Sequence, residues 1–129
     1  MSDFQTEILT PIPAHAVYLH CCRVANADQA HIIAALKQLS SQLSDKTVVI
    51  GLGASLLDFL NIQIPGMHAF PDFSASHLDM HAYETDLWIW LKAKERGELF
   101  HTTQQIGSQL KESFRISHQV DAYRFQDGR

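Results

Sequence analysis

Asp86-Leu87-Trp88-Ile89-Trp90-Leu91-Lys92, residues 86–92, alternates aliphatic with indole side chains. In an extended chain successive side chains point to opposite faces, so Leu87, Ile89 and Leu91 line one face and Trp88 and Trp90 the other. Both faces of this strand are apolar, and both need cover. Whatever sheet contains it has a second layer on one side and an apolar surface on the other.

Three more segments read as extended, and two read as helices. His15 to Val24 is rich in β-branched and aromatic residues, Thr47 to Gly53 is a short β-branched run, and Phe114 to Phe125 again looks extended. After Asn26, a plausible N-cap, Ile32, Leu36, Leu39 and Leu43 fall at i, i+4, i+7 and i+11, with Ile33 and Ala35 widening the stripe. A turn over Lys94 to Gly97 leads into a second helix marked by Leu99, Thr103, Ile106 and Leu110, with Phe100 beside them. Ala54 to Leu60 adds a helical turn or two, and glycines 51 and 53 permit a sharp turn or close backbone approach. Residues 1–13, with two prolines, read as an extended lead-in, and residues 61–84 as a long loop.

The order is therefore β-α-β, a long loop, and β-α-β. It predicts a single α+β domain over residues 1–129, with the ferredoxin-like split β-α-β arrangement: a four-stranded antiparallel sheet with helices on one face.

Composition narrows the function classes. With 129 residues, 46% hydrophobic content and a formal net charge of −4, the chain suits one domain and carries no broad positive field for nucleic acid. Apolar stretches are interrupted within about ten residues, against the roughly 20 needed to span a bilayer, and Met1 to Thr10 lacks the basic region of a secretory signal. The expectation is a cytoplasmic protein with no nucleic-acid or membrane partner. Cys21 and Cys22, adjacent and on opposite faces of a strand, read as small buried hydrophobes and not as a disulfide or redox pair.

Eight histidines invite a search for sites. His77 and His81 stand four apart, with Asp72 and Asp79 nearby, but the segment is not convincingly helical and the spacing then carries little information. His20 and His118 sit in predicted strands and could face each other across the sheet, where such a pair titrates near neutral pH. The serines lack a Gly-x-Ser-x-Gly elbow, and Gly51-Leu52-Gly53-Ala54-Ser55-Leu56 lacks the third glycine of a dinucleotide loop. No catalytic, cofactor-binding or metal residue is assigned.

Three stretches together resemble the dye-decolourising peroxidase family, in particular its shorter bacterial members. They are Val49-Ile50-Gly51-Leu52-Gly53 with Ala54-Ser55-Leu56-Leu57; Phe70-Pro71 with Thr85 to Ala93 and Arg96-Gly97-Glu98-Leu99-Phe100; and the ending Val120 to Arg129. The ending is similar to the strand that leads into the family's Gly-x-x-Asp-Gly motif. The resemblance runs from about Pro13 onward but covers only the first half of such a peroxidase. It implies two ferredoxin-like halves in the full-length family, haem b held between the second half and the sheet layer, and peroxide-dependent oxidation of organic substrates. The family's distal Asp and Arg and its proximal His have no matching position before Arg129, and Asp127 is not promoted to the distal role.

The expectation is thus a truncated or split N-terminal half, inactive and without haem on its own. Its apolar sheet face, with Trp88, Trp90, Tyr18 and Tyr123, would pack on the C-terminal half. The alternative is a stand-alone ferredoxin-like dimerisation or binding module that pairs this face with a second copy. Either way a homo-oligomer is expected.

Overall fold

A computed structural model of the chain describes residues 5–77 and 85–128. In chain order the elements are β1 (His15–Arg23), α1 (Gln29–Gln42), β2 (Val48–Leu52), α2 (Ala54–Phe59), β3 (Leu87–Ala93), α3 (Arg96–Leu110) and β4 (Phe114–Tyr123). All neighbouring strands are antiparallel, in the order β2-β3-β1-β4. This is the ferredoxin-like arrangement expected from the alternation of elements. The tryptophan-bearing β3 sits inside the sheet, between β1 and β2.

The core lies between the sheet and the helices. Leu87, Ile89 and Leu91 of β3 and Val17, Leu19 and Cys21 of β1 meet Ile32, Leu39 and Leu43 from α1 and Leu99, Ile106 and Leu110 from α3. Leu19, Ile32, Ile89 and Ile106 have no exposed surface. Each such side chain contributes about 1.5–3 kcal/mol of burial. The stripe of α1 is narrower than its sequence suggests: Leu36 and Ala35 are only partly buried, and Ile33 is exposed. Phe100, beside the stripe of α3, is likewise exposed.

Helix boundaries follow from backbone chemistry. The cap of α1 is Asp28 and not Asn26, because the Asp28 carboxylate accepts from the His31 backbone N–H at 2.8 Å, the bond an N-cap side chain supplies. Asp28 also takes His31 Nδ1 at 2.6 Å, and these bonds, the backbone one foremost, hold its carboxyl below the usual range. α3 begins at Arg96, inside the expected turn. α2 stops because Asn61 adopts a left-handed φ of 57°, letting Ile62 N–H reach back to Leu57 C=O at 2.9 Å and Asn61 N–H to Asp58 C=O at 3.1 Å. This paired closure is a Schellman cap, with Asn in the place glycine usually takes.

Gly53 is required where it stands. A Cβ there would lie 1.9 Å from the Thr85 carbonyl oxygen, and the Gly53 N–H donates to Asp86 C=O at 2.9 Å. The close approach brings the start of α2 against the start of β3. Asp86, almost buried, then accepts from Arg23 N–H at 2.8 Å and Arg23 Nε at 3.3 Å, while Arg23 also reaches Ser55 Oγ at 3.0 Å and lies over the Phe59 ring.

The lead-in departs from a purely extended path, since Thr6–Leu9 forms a 3-10 turn. Two anchors hold it. The Gln5 side-chain amide donates to Ile50 C=O at 2.7 Å and accepts from Ile50 N–H at 2.8 Å, standing in for a neighbouring strand on the free edge of β2. Lys92 Nζ donates to the Glu7 carbonyl and to Thr10 Oγ1, at 2.9 Å for the latter. Within the long loop, residues 61–77 contain no helix or strand. No helix among the described residues is long and apolar enough to cross a membrane.

Candidate functional site

The face of the sheet opposite the helices is the feature that sets this chain apart from a finished two-layer domain. Strand pairing fixes its membership: Val49 and Gly51 from β2, Trp88, Trp90 and Lys92 from β3, Tyr18 and His20 from β1, and His118 and Val120 from β4. Tyr18 stacks with both tryptophans, at ring-centroid distances of 5.8 Å to Trp88 and 5.7 Å to Trp90, with interplanar angles of 22° and 23°. The two indoles are 6.1 Å apart. Gly51 lies directly opposite Trp88, and a Cβ at 51 would meet the Trp88 ring at 3.5 Å, so the indole lies over the glycine.

Lys92 closes one end of this aromatic row. Its ammonium sits 4.0 Å from the centre of a Trp90 ring while binding the lead-in. Such cation–aromatic contacts are worth more as the cation is desolvated, and Lys92 is buried. Trp90 Nε1 is itself buried and finds no acceptor among the described residues. An indole N–H usually finds a partner when buried.

The other end carries the histidine pair. His20 and His118 are directly opposite in the register, with ring centroids 5.8 Å apart and an edge-on angle of 65°. Thr85 Oγ1 lies 3.0 Å from His20 Nδ1. Burial, and then the neighbouring His118, push the His20 pKa below its ordinary 6.5.

A β-bulge makes this pairing possible. His20 pairs with His118 but the next residue of β1, Cys21, pairs with Ile116, so Ser117 is an extra residue in β4; its Oγ donates to His20 C=O at 3.0 Å. Before the bulge, Phe114 and Ile116 face the helices; after it, Gln119, Asp121 and Tyr123 do. Tyr123 is therefore not on the open face, as strict alternation from Phe114 suggests. It lines a cleft of about 420 Å³ on the helix side with His15, Arg96, Leu99 and Phe100.

Other sequence candidates are dispersed. Cys21 is buried in the core, where burial and then Cys22 push its thiol up to about 12, and both cysteines are free. His77 and Asp72 are exposed, and Asp72 accepts from the Ser74 backbone N–H at 2.9 Å, which lowers its pKa. His81 and Asp79 lie outside the described residues. Among the described residues no three His, Cys, Asp or Glu side chains gather into a metal-ion cluster.

The fold recurs in known proteins. The family model described as "Dyp-type peroxidase, N-terminal" matches residues 44–124, more than half of the chain. Among solved structures, the dye-decolorizing protein from V. cholerae is similar at 21% identity and a TM-score of 0.80, covering 98% of this chain and 45% of its own. The DyP-type peroxidase from Cellulomonas bogoriensis gives 17% identity and a TM-score of 0.80, with 98% and 42% covered. Ferric DtpA from Streptomyces lividans gives 21% and 0.75, with 92% and 39% covered. The chain thus spans less than half the length of these structures. No curated protein matches this chain in sequence.

Proposed function

We propose, since this chain belongs to the Dyp-type peroxidase N-terminal family, that it works as the structural half of a haem peroxidase. The activity of the whole is hydrogen peroxide-dependent oxidation of organic substrates on haem b, with the haem ligand and the distal acid and cation supplied by residues outside this chain. The observation that carries the reading is the open sheet face. Tyr18, Trp88 and Trp90 form an apolar surface backed by a finished core, and in each matched structure more than half of the chain lies beyond the matched part. The occupant of that face is the C-terminal half of the peroxidase.

Among the described residues, His20 and His15 do not by themselves fit haem. An axial imidazole must stand free over an enclosed slot, with its other ring nitrogen held by an acceptor. His20 has such a partner in Thr85, but its ring packs on His118. His15 stands in the cleft beside α3, too small at about 420 Å³ to enclose a porphyrin.

The test is reconstitution with haemin. The chain alone is expected to give neither a shifted Soret band nor peroxide-dependent turnover above free haem, and the same chain continued into a C-terminal half is expected to give both. Turnover by the chain alone would overturn the reading. The second reading, a module that pairs two open faces, rests on the same half-buried rings. It requires a dimer in solution that Trp88→Ala dissociates. The cytoplasmic location and homo-oligomeric state belong to this proposal.

A further inference from the structure

We infer that His20 and His118 form a bidentate site for a first-row divalent cation such as Zn²⁺ or Cu²⁺, bridging β1 to the edge strand β4. Every group in the site belongs to this chain, and the site lies on the sheet face that the proposed function gives to the C-terminal half, so it is a site of the chain with that face uncovered.

The geometry comes first. The two residues are direct cross-strand partners, the placement in which side chains on neighbouring strands approach most closely. With metal–nitrogen bonds of about 2.0–2.1 Å, two imidazoles sharing one tetrahedral ion have ring centroids roughly 5 Å apart. The observed separation of 5.8 Å is close to that value, and His118 is exposed. The bulge at Ser117 fixes this opposition, holding His118 on the face of His20.

The donor chemistry agrees. In the tautomer that donates Nδ1–H to Thr85 Oγ1, His20 Nε2 keeps its lone pair free, which is how histidine ligands are oriented by an outer partner. His118 has no hydrogen bond to any described residue, so both of its nitrogens are available. Imidazole nitrogen suits Zn²⁺ and Cu²⁺ and not Mg²⁺ or Ca²⁺. Two protein ligands leave the remaining positions to water, reached through the exposed side of His118.

Titration of the chain with ZnCl₂ and with CuSO₄ tests the assignment, read by calorimetry, by the visible Cu²⁺ band and by the shift in melting temperature. One equivalent is expected to bind and to raise the melting temperature. His118→Ala, an exposed edge-strand change that leaves the core intact, should abolish both effects, and Thr85→Val should weaken binding roughly tenfold by freeing the His20 ring. His31→Ala and His77→Ala should change neither. No saturable binding at millimolar metal, binding that survives His118→Ala, or binding lost on His77→Ala would each overturn the site.

Discussion

On β3, residues that differ by one position in sequence live in different surroundings. Ile89 has no exposed surface and is enclosed by both long helices, whereas Trp88 and Trp90, on the other side of the same backbone, are partly exposed against Tyr18. The helix side is saturated with aliphatic groups that interlock; the open side carries flat, polarisable rings with polar ends. Aromatic rings of that kind dominate the centres of interfaces, because they bring large area with few rotatable bonds. The contrast is that between a core and a surface built to be covered.

The sharpest way to break the contrast is to cut both sides equally. Ile89→Ala should cost about 2–5 kcal/mol in urea unfolding of the chain, since the cavity is walled on every side. Trp88→Ala removes more atoms but leaves a hollow open to water, so its cost in the chain alone should be smaller, with its main effect on association with a C-terminal half. If the tryptophan change costs as much as the isoleucine change, the open face is a second core and not a docking surface.

Next in size is Gly53→Ala. The added methyl meets backbone and not a side chain that can swing away, at 1.9 Å from the Thr85 carbonyl. Overpacking of this kind costs about 1–3 kcal/mol, and here the start of β3 must move to accommodate it. Because Thr85 also holds His20, the variant should disturb the His20 ring resonances in NMR as well as the unfolding midpoint. A change in stability without any change at His20 would mean that α2 gives way instead.

How far these two faces were legible in the sequence depends on the local rule that governs each part. Leu87, Ile89 and Leu91 against Trp88 and Trp90 follow from period-two alternation, and the stripe of α3 from its spacing, because in each case one periodicity holds along the whole element. Alternation from Phe114 puts Tyr123 on the wrong face because the bulge at Ser117 resets it, and nothing in Ile116-Ser117-His118 marks the bulge: no glycine is present there. The opposition of His20 and His118 follows from residue type and strand order, but only the register makes it direct. The 3-10 turn of the lead-in depends on Lys92, more than eighty residues away, and the cap at Asp28 competes with an equally good candidate two positions earlier. Long-range partners and equivalent local choices are where local reading ends.

Trp90→Phe probes the open face at lower cost. The change keeps a ring beside Tyr18 and Lys92 and removes Nε1, the buried donor without a described acceptor. Relieving an unmade hydrogen bond favours the variant by about 1–3 kcal/mol, while lost ring area and a weaker cation contact oppose it. The net change in the chain alone should lie within about 1 kcal/mol of zero. A much larger loss, measured by the same urea titration, would show that Nε1 has a partner.

The smallest effect separates the faces by pH. His20, on the open side, has a pKa lowered chiefly by burial and then by His118, so below its ordinary 6.5 the unfolded chain takes up a proton that the folded chain resists. Its contribution to stability is complete above that value and is lost as pH falls through the window beneath it. Cys21, on the helix side, has a thiol raised from 9.0 to about 12, chiefly by burial, so its contribution is complete below 9.0 and is lost as pH rises toward 12. Melting temperature against pH should therefore decline at both ends, and the two declines should be separable. His118→Ala should soften the acid decline alone, by removing the neighbouring imidazole, and Cys21→Ala should remove the part of the alkaline decline that Cys21 supplies while lowering the whole curve. An acid decline unchanged by His118→Ala would mean that His20 is set by burial only, and that the two rings do not sense each other across the strands.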